Sequence, residues 1–288
     1  DDPPYRPILS MRNSYLSNLS VYLDQLLKPF LPSEYAVKDT FEFLDKIKAA
    51  NLPNNSFLVS YDVVSLFTNV PLKDTIDYIC FLIDFTSFLF NRRTLKSLLQ
   101  MACCDVVFSF DETLYSQIEG VAMGSPLGPI MAGFAMAKIE SQLREQPLFY
   151  AQYVDDIFCA FSCESHAMKF LEVLNSSSNV LKFTIEKEAE NKITFLDVLI
   201  QKNDNALQFA WHKKTTNTGR YLPSDSHSPA RYKKAAIRNL IFRAQRICST
   251  PQLFEVSYKE IKAIFIQNGY HPRYIDDIKT QVSRQSRP

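Results

Sequence analysis

Two adjacent carboxylates, Asp155 and Asp156, interrupt an otherwise apolar run from Phe149 to Phe161. Side-by-side acids in such a setting lose hydration and repel each other unless a cation neutralises them, and a divalent metal held by oxygen ligands, magnesium above all, is the economical occupant. The flanks Tyr150-Ala151-Gln152-Tyr153-Val154 and Ile157-Phe158-Cys159-Ala160-Phe161 predict two short buried strands joined by a tight turn at the aspartates, aiming both carboxylates outward. The same Tyr-x-Asp-Asp pattern recurs at Tyr274-Ile275-Asp276-Asp277, among Gly269, His271, Pro272, Arg273, Lys279 and Arg284. There it predicts a loop and a solvated helix with acids in its first turn, so only the first copy is expected to be catalytic.

A metal site for phosphoryl transfer needs a third carboxylate from another strand. Phe57-Leu58-Val59-Ser60-Tyr61-Asp62-Val63 is a β-branched and aromatic run that ends at Asp62, and Pro71 followed by Asp74 marks a helix start beyond it. Alone, Asp62 reads more readily as a helix cap or turn acid. The third element is Glu119-Gly120-Val121-Ala122-Met123-Gly124-Ser125-Pro126-Leu127-Gly128-Pro129, leading into a helical run from Ile130 to Leu143. Four of the chain's six glycines, at 120, 124, 128 and 133, lie here, where backbone must approach something closely. Pro129 suits a first helical turn, and Ala132, Gly133, Ala135 and Ala137 keep part of that helix thin. No Gly-Lys-Ser/Thr follows, so this is not a phosphate-cradling P-loop.

Together the three elements resemble the palm motifs of a reverse transcriptase, with the wording of Penelope-like retroelements. The stretch from Ser60 through Asp62, Val63 and Phe67 to Pro71 resembles the first motif. Tyr115, Gln117 and the run from Gly120 to Pro126 resemble the second, and the run from Tyr153 to Phe158 the third. Phe195-Leu196-Asp197 matches the segment that follows the catalytic strands, and Arg6-Pro7-Ile8 the end of a fingers motif. The resemblance implies an α+β right-hand polymerase with an antiparallel-sheet palm, helical and hairpin fingers, and a helical basic thumb. Its implied layout is fingers over 1–56, palm over 57–72, a fingers/palm insertion over 73–118, palm with the catalytic hairpin over 119–202, and the end of a primer-grip hairpin with the thumb over 203–288.

The implied chemistry is RNA-directed DNA synthesis from deoxynucleoside triphosphates on an RNA template and DNA primer. Asp62 and Asp155 are expected to share two magnesium ions, or manganese in their place, with the Val63 carbonyl completing one shell and Asp156 in support. The resemblance places Arg6, Phe67, Met123 and Gly124 at the nucleotide, with Phe67 as a gate against a ribose 2′-hydroxyl. As a residue type Phe67 could equally be core, since 22 phenylalanines must mostly be buried. Ser125, Pro126, Tyr153, Phe195 and Leu196 are expected along template and primer. Lys182 or Lys187 could protonate the leaving pyrophosphate, although lone lysines are usually solvated.

The net charge of +1 conceals a split along the chain. Residues 201–288 carry 16 Lys and Arg against 6 Asp and Glu, leaving 16 against 25 in residues 1–200. Lys213, Lys214, Arg220, Arg231, Lys233, Lys234, Arg238, Arg243 and Arg246 cluster with Asp225 as the one acid between Lys213 and Arg246, and a duplex is expected to lie there. Ser228-Pro229 can cap a helix whose apolar face is Ala236, Ile237, Leu240, Ile241, Ala244 and Ile247. Upstream, Ile193 to Ile200 and Leu207 to Trp211 predict two strands joined at Asn203-Asp204-Asn205, with Trp211 as packing. Phe43 to Ala50 and Arg92 to Met101 predict helices, and Val106 to Phe110 with Leu114 to Gln117 a hairpin turning at Asp111-Glu112.

Composition agrees without selecting: 288 residues at 46% hydrophobic content can bury a substantial core. The six cysteines show no CxxC pairing, so reduced thiols in an intracellular compartment are the default, and the resemblance implies the nucleus. Cys159, Cys163 and His166 could suggest zinc, but Cys159 falls on the return strand of the catalytic hairpin. The apolar run Tyr78 to Phe90 is too short to span a membrane, and no signal peptide is evident. The chain opens without methionine partway through the implied fingers, which suggests an excerpt, and cleavage of a target is expected from an endonuclease segment outside it. Gln152 stands where relatives commonly have arginine, and Gly133 where many have a larger polar residue. These departures keep open a catalytically decayed or co-opted domain that binds RNA or an RNA·DNA hybrid. A paired-carboxylate hydrolase is disfavoured, because adjacent aspartates lack the separation a glycosidic bond requires.

Overall fold

The computed structural model describes residues 8–104, 106–144, 146–203 and 206–285. In chain order the elements are α1 (Ser17–Leu27), α2 (Thr40–Ala49), β1 (Phe57–Val63), α3 (Leu66–Asn69), α4 (Leu72–Leu82), α5 (Arg92–Cys104), β2 (Val107–Phe110), β3 (Thr113–Ser116) and α6 (Gly128–Glu140). They continue with β4 (Phe149–Tyr153), β5 (Asp156–Phe161), α7 (Glu164–Ser176), β6 (Phe183–Lys187), β7 (Lys192–Phe195), β8 (Val198–Asn203), β9 (Ala206–Trp211), α8 (Ala230–Ile247), α9 (Pro251–Gln267) and α10 (Pro272–Gln285). Two compact units form, residues 1–37 with 60–186 and residues 38–59 with 187–288.

The first unit is organised by a four-stranded sheet of order β4-β5-β1-β6. α6 is buried on almost every side through Ile130, Met131, Phe134, Met136 and Ile139, as expected of a helix with no consistently polar face. Its thinness at Gly133 has a cause: a Cβ there would meet the Leu31 methyls at 3.1 Å. The β2–β3 hairpin turns at Asp111 (φ 48°) and Glu112 (φ 59°), the paired left-handed conformation of a two-residue loop that follows strand twist, as the sequence predicts.

In the second unit Asp39 starts α2 by accepting from the Phe41 and Glu42 N–H groups at 2.9 Å each, contacts that lower its pKa. Thr250 caps α9 through the Leu253 N–H at 3.2 Å, ahead of Pro251 in the first turn. α8 buries Ile237, Ile241, Ala244 and Ile247, the heart of the expected apolar face.

Two expectations are corrected. The run Ile193 to Ile200 is not one strand but two, β7 and β8, closed by the pair Phe195↔Val198 around Leu196 and Asp197. Alternating apolar residues hide that turn, and Leu196 enters it at φ 56° without the glycine that would announce it. β9 then adds to β8, while Asp204 and Asn205 of the expected connection lie outside the described residues. The second correction concerns Asp276, which falls beyond the first turn of α10 and is pinned by the Tyr258 hydroxyl at 2.6 Å and by Lys262 Nζ at 2.7 Å. The lysine contact lowers its pKa first of all, so a cation already neutralises this copy of the motif.

None of the six cysteines is in a disulfide. Cys159 is buried and Cys163 exposed, and no zinc cluster forms among the described residues. No helix among them is long and apolar enough to cross a membrane. Replacing buried Ile241 by alanine is expected to cost about 2–5 kcal/mol of stability, whereas alanine at exposed Val256 of α9 should cost under about 0.5 kcal/mol; urea denaturation of the two variants checks the contrast.

Candidate functional site

The site grows from the end of β1. Leu58, Val59, Tyr61 and Val63 are buried while Asp62 between the last two is exposed, so strand alternation itself delivers the carboxylate to the surface. Buried Tyr61 anchors the strand by donating to the Ala167 carbonyl at 2.8 Å, and burial pushes its phenol far above the usual range. Past Asp62 the backbone is held on both sides. The Val63 N–H donates to the Asp155 carbonyl at 3.2 Å, and the Val64 N–H to the Lys182 carbonyl at 2.9 Å. The chain then swings through Ser65 (φ 51°) into α3, stabilised by Thr68 Oγ1 donating to Ser65 O at 3.0 Å and Asn69 Nδ2 to Val64 O at 3.1 Å.

Asp155 stands in the β4–β5 turn, and Asp156 is the first residue of β5, opposite Tyr153. The tight turn predicted at the aspartates is therefore Val154-Asp155. Val154 occupies left-handed backbone at φ 57°, which costs a β-branched residue on the order of 1–3 kcal/mol and persists only where surroundings over-determine it. Gln152 supplies that support. Its Nε2 donates to the Val154 carbonyl at 2.9 Å, its N–H to the Tyr35 carbonyl at 2.8 Å, and its carbonyl accepts from the Val37 N–H at 2.8 Å. The residue noted as a departure at position 152 thus holds the turn on which Asp155 sits.

A buried pair stands behind the same hairpin. The Tyr150 hydroxyl donates to Glu140 Oε1 at 2.9 Å, joining β4 to the end of α6. Burial, reinforced by Glu34, pushes Glu140 up to about 7 against the hydrogen bond's opposing pull.

The glycine-rich segment packs onto α3. A Cβ at Gly120 (φ 70°) would lie 2.4 Å from the Thr68 carbonyl and 2.5 Å from that of Phe67, and the Val121 N–H donates to the Phe67 carbonyl at 2.7 Å. Gly124 (φ 113°) faces the Leu9 carbonyl, which a Cβ would meet at 2.2 Å. Half-buried Phe67 has its ring edge 3.6 Å from where a Cβ at Gly128 would stand. Met123 accepts from the Leu9 N–H at 2.8 Å, and buried Ser125 accepts the Leu127 N–H on its Oγ at 3.3 Å. Pro126 and Tyr153 are half-buried. Asp62, Asp155, Asp156, Phe67, Met123 and Gly124 therefore belong to one unit, while Arg6 lies outside the described residues.

The remaining predicted residues belong to the second unit. Phe195 is buried against Phe43, with ring centroids 4.7 Å apart, and Leu196 forms the turn beside it. Lys214, Arg231, Lys234 and Arg238 are exposed, and Lys213 is half-buried. Arg231, Lys234 and Arg238 follow i, i+3, i+7 spacing along one side of α8. Arg231 donates from Nη2 to the Tyr232 hydroxyl at 3.1 Å; Arg243 pairs with Asp197 at 2.6 Å, and Arg246 stacks 3.8 Å over the Phe41 ring. Neither of the last two contacts was legible, because both partners are remote in sequence and a charge run gives no hint of which cations are internally engaged.

Among the described residues no three His, Cys, Asp or Glu side chains converge into a ready metal cage. Asp62 near the end of β1 and Asp155 in the β4–β5 turn nevertheless suit magnesium, which prefers one or two carboxylates plus substrate phosphates and water to an all-protein shell.

Residues 2–222 match the family described as "Reverse transcriptase (RNA-dependent DNA polymerase)", and residues 220–280 match "Animal helix-turn-helix domain". No curated protein sequence matches the chain. Among solved structures, telomerase from Candida albicans with a fragment of telomeric RNA superposes at a TM-score of 0.60 with 12% identity, over 95% of this chain and 51% of that one. Apo telomerase from Candida tropicalis gives 0.54 and 15%, over 96% and 53%, and the RNA-dependent RNA polymerase of a human picobirnavirus 0.54 and 12%, over 88% and 50%. At such identities the likeness is one of fold, and the chain spans about half the length of each of these structures.

A Glu140 raised from 4.5 to about 7 makes stability fully present below pH 4.5 and progressively lost as pH rises through 7, because the folded state retains a proton that the unfolded state releases. The loss should reach roughly 3 kcal/mol at most. Glu140→Gln should flatten this slope, as measured by urea unfolding between pH 5 and pH 8.

Proposed function

The chain belongs to the reverse transcriptase family, and we propose that it is an RNA-directed DNA polymerase of a Penelope-like retroelement, extending a DNA primer on an RNA template. The observation that carries this is the hydrogen bond from the Val63 N–H to the Asp155 carbonyl, which sets the strand-end carboxylate Asp62 beside the turn bearing Asp155. The Penelope-like assignment rests on the wording of the motifs, from Ser60 to Pro71, from Gly120 to Pro126 and from Tyr153 to Phe158.

In the proposed reaction the primer 3′-hydroxyl loses its proton to water as its oxygen bonds to the α-phosphorus of a deoxynucleoside triphosphate, the bond from that phosphorus to the α,β-bridging oxygen breaks, and pyrophosphate leaves with that oxygen. Magnesium held by Asp62, Asp155 and the Val63 carbonyl would supply positive charge where the phosphoryl group becomes most negative. Asp156, heading β5, would contribute a second negative charge to the turn. The chain's own part is mostly placement. Gln152 fixes the Asp155 turn, the 120–128 segment would form one wall, and Phe67 beside Gly128 would crowd a ribose 2′-hydroxyl. Arg231, Lys234 and Arg238, with Lys213 and Lys214, would meet the phosphates of template and primer. The helix-turn-helix match over these helices supports a nucleic-acid role for that region. Nuclear action is part of the same proposal.

A second possibility is a non-catalytic hybrid-binding domain, favoured by Gln152 in place of the usual arginine and by the same helix-turn-helix match. One assay separates the two. Asp155→Asn should abolish magnesium-dependent primer extension on RNA, a drop of at least about 10³-fold, while primer–template affinity stays within about twofold of the parent. Extension by the variant at the parental rate would remove Asp155 from the chemistry, and binding without extension by the parent would favour the non-catalytic domain.

A further inference from the structure

One polar network of the second unit is built around the β7–β8 turn. Arg243 of α8 donates from Nε and Nη2 to Asp197 Oδ2 at 3.0 and 2.6 Å, and Nη2 also donates to Thr40 Oγ1 at 3.2 Å. Thr40 Oγ1 closes the ring by donating to Asp197 Oδ1 at 2.6 Å. The Asp197 carbonyl accepts from the His212 N–H at 2.9 Å. Three elements, the start of α2, the β7–β8 turn and the middle of α8, therefore meet on one carboxylate. Thr40 is buried and Asp197 half-buried, while the Arg243 side chain stays 39% exposed, so the carboxylate is shielded on its Thr40 side and open toward the arginine.

What the network holds is strained. Leu196, immediately before Asp197, sits in left-handed backbone at φ 56° where glycine or asparagine would be at ease, and Phe195 before it is wedged against Phe43. A hairpin that only had to turn would use a permissive residue and need no remote arginine. Here a leucine is forced into the turn and fixed from three directions, the pattern of a site whose geometry is specified at a cost. The arginine doing so comes from the most basic helix of the chain, so one cation of that helix is committed to a carboxylate.

We propose that Arg243 and Thr40 are positioning residues that act through Asp197 to lock the β7–β8 turn as a rigid rest for the primer strand. The proposal rests on the polymerase assignment and on Phe195 and Leu196 meeting the primer. Lysine cannot replace Arg243, since an ammonium lacks the planar fork that reaches Asp197 and Thr40 together.

The test is rapid-quench incorporation of one deoxynucleotide by the full chain on an RNA template with a DNA primer. Arg243→Gln and Asp197→Asn should each slow the burst by about tenfold to a hundredfold through misplacement of the primer end. Burst amplitude and primer–template affinity should stay within about twofold, and the double variant should be no slower than the slower single variant. Arg243→Lys should recover little of the rate, and the milder Thr40→Val should slow the burst by about threefold to tenfold. The salt dependence of primer–template binding should be unchanged in Arg243→Gln, whereas Arg238→Gln should lower the slope by about one. A loss confined to burst amplitude would make the network merely structural, and additive penalties or a reduced salt slope in Arg243→Gln would make Arg243 a phosphate contact; each overturns the proposal. A parent chain that incorporates nothing overturns the polymerase assignment instead, and this inference with it.

Discussion

One backbone hydrogen bond, from the Val63 N–H to the Asp155 carbonyl, joins two segments more than ninety residues apart and makes a shared carboxylate site possible. It ties the β4–β5 turn to the end of β1, the strand beside β5 in the sheet. Because side chains alternate along a strand, the pairing that buries Tyr61 and Val63 also exposes Asp62 beside the turn. A slip of one residue would bury the carboxylate and expose the core. Much of the first unit guards that register: β6 on the far side of β1, the Tyr61 anchor to α7, and the Tyr150–Glu140 bond behind β4.

The chain treats glycine and strain in opposite ways around its two candidate contact regions. At positions 120 and 124 glycine is needed because another segment's carbonyl occupies the space of a Cβ. At Ser65, Val154 and Leu196 the backbone is left-handed with a side chain present, and neighbouring hydrogen bonds hold each bend: Thr68 and Asn69 at the first, Gln152 at the second, Asp197 with its partners at the third. Such positions are unfavourable taken singly and stable only as parts of a network, which is how a fold keeps a few atoms in one place.

The strands and helices that carry the site were legible because their signals are local. Apolar runs around Asp62 and Asp155, the glycine cluster and the 3.6-residue periodicity of α8 each announce an element within a dozen residues. The β7–β8 turn was not, since its alternating apolar residues continue through Leu196 and only the tertiary hold on Asp197 breaks the strand. Charge was legible in amount but not in use: nothing near Arg243 reveals that a carboxylate 46 residues earlier engages it. The second Tyr-x-Asp-Asp copy was set aside from its flanks, and its partners Tyr258 and Lys262, which come from another helix, were not legible there. The match of residues 220–280 to the animal helix-turn-helix family was not legible beneath the same basic run that suggested a thumb.

The central claim is that Asp62 and Asp155 hold the same cations. Ferrous iron replacing magnesium, with ascorbate and peroxide, cuts polypeptide close to where it binds, so the sites of cleavage in the chain bound to primer–template and deoxynucleotide report its ligands. Cuts at both the end of β1 and the β4–β5 turn, suppressed together by excess magnesium and lost together in Asp62→Asn, are the predicted result. Cleavage at only one of the two segments, or at neither, would contradict the account.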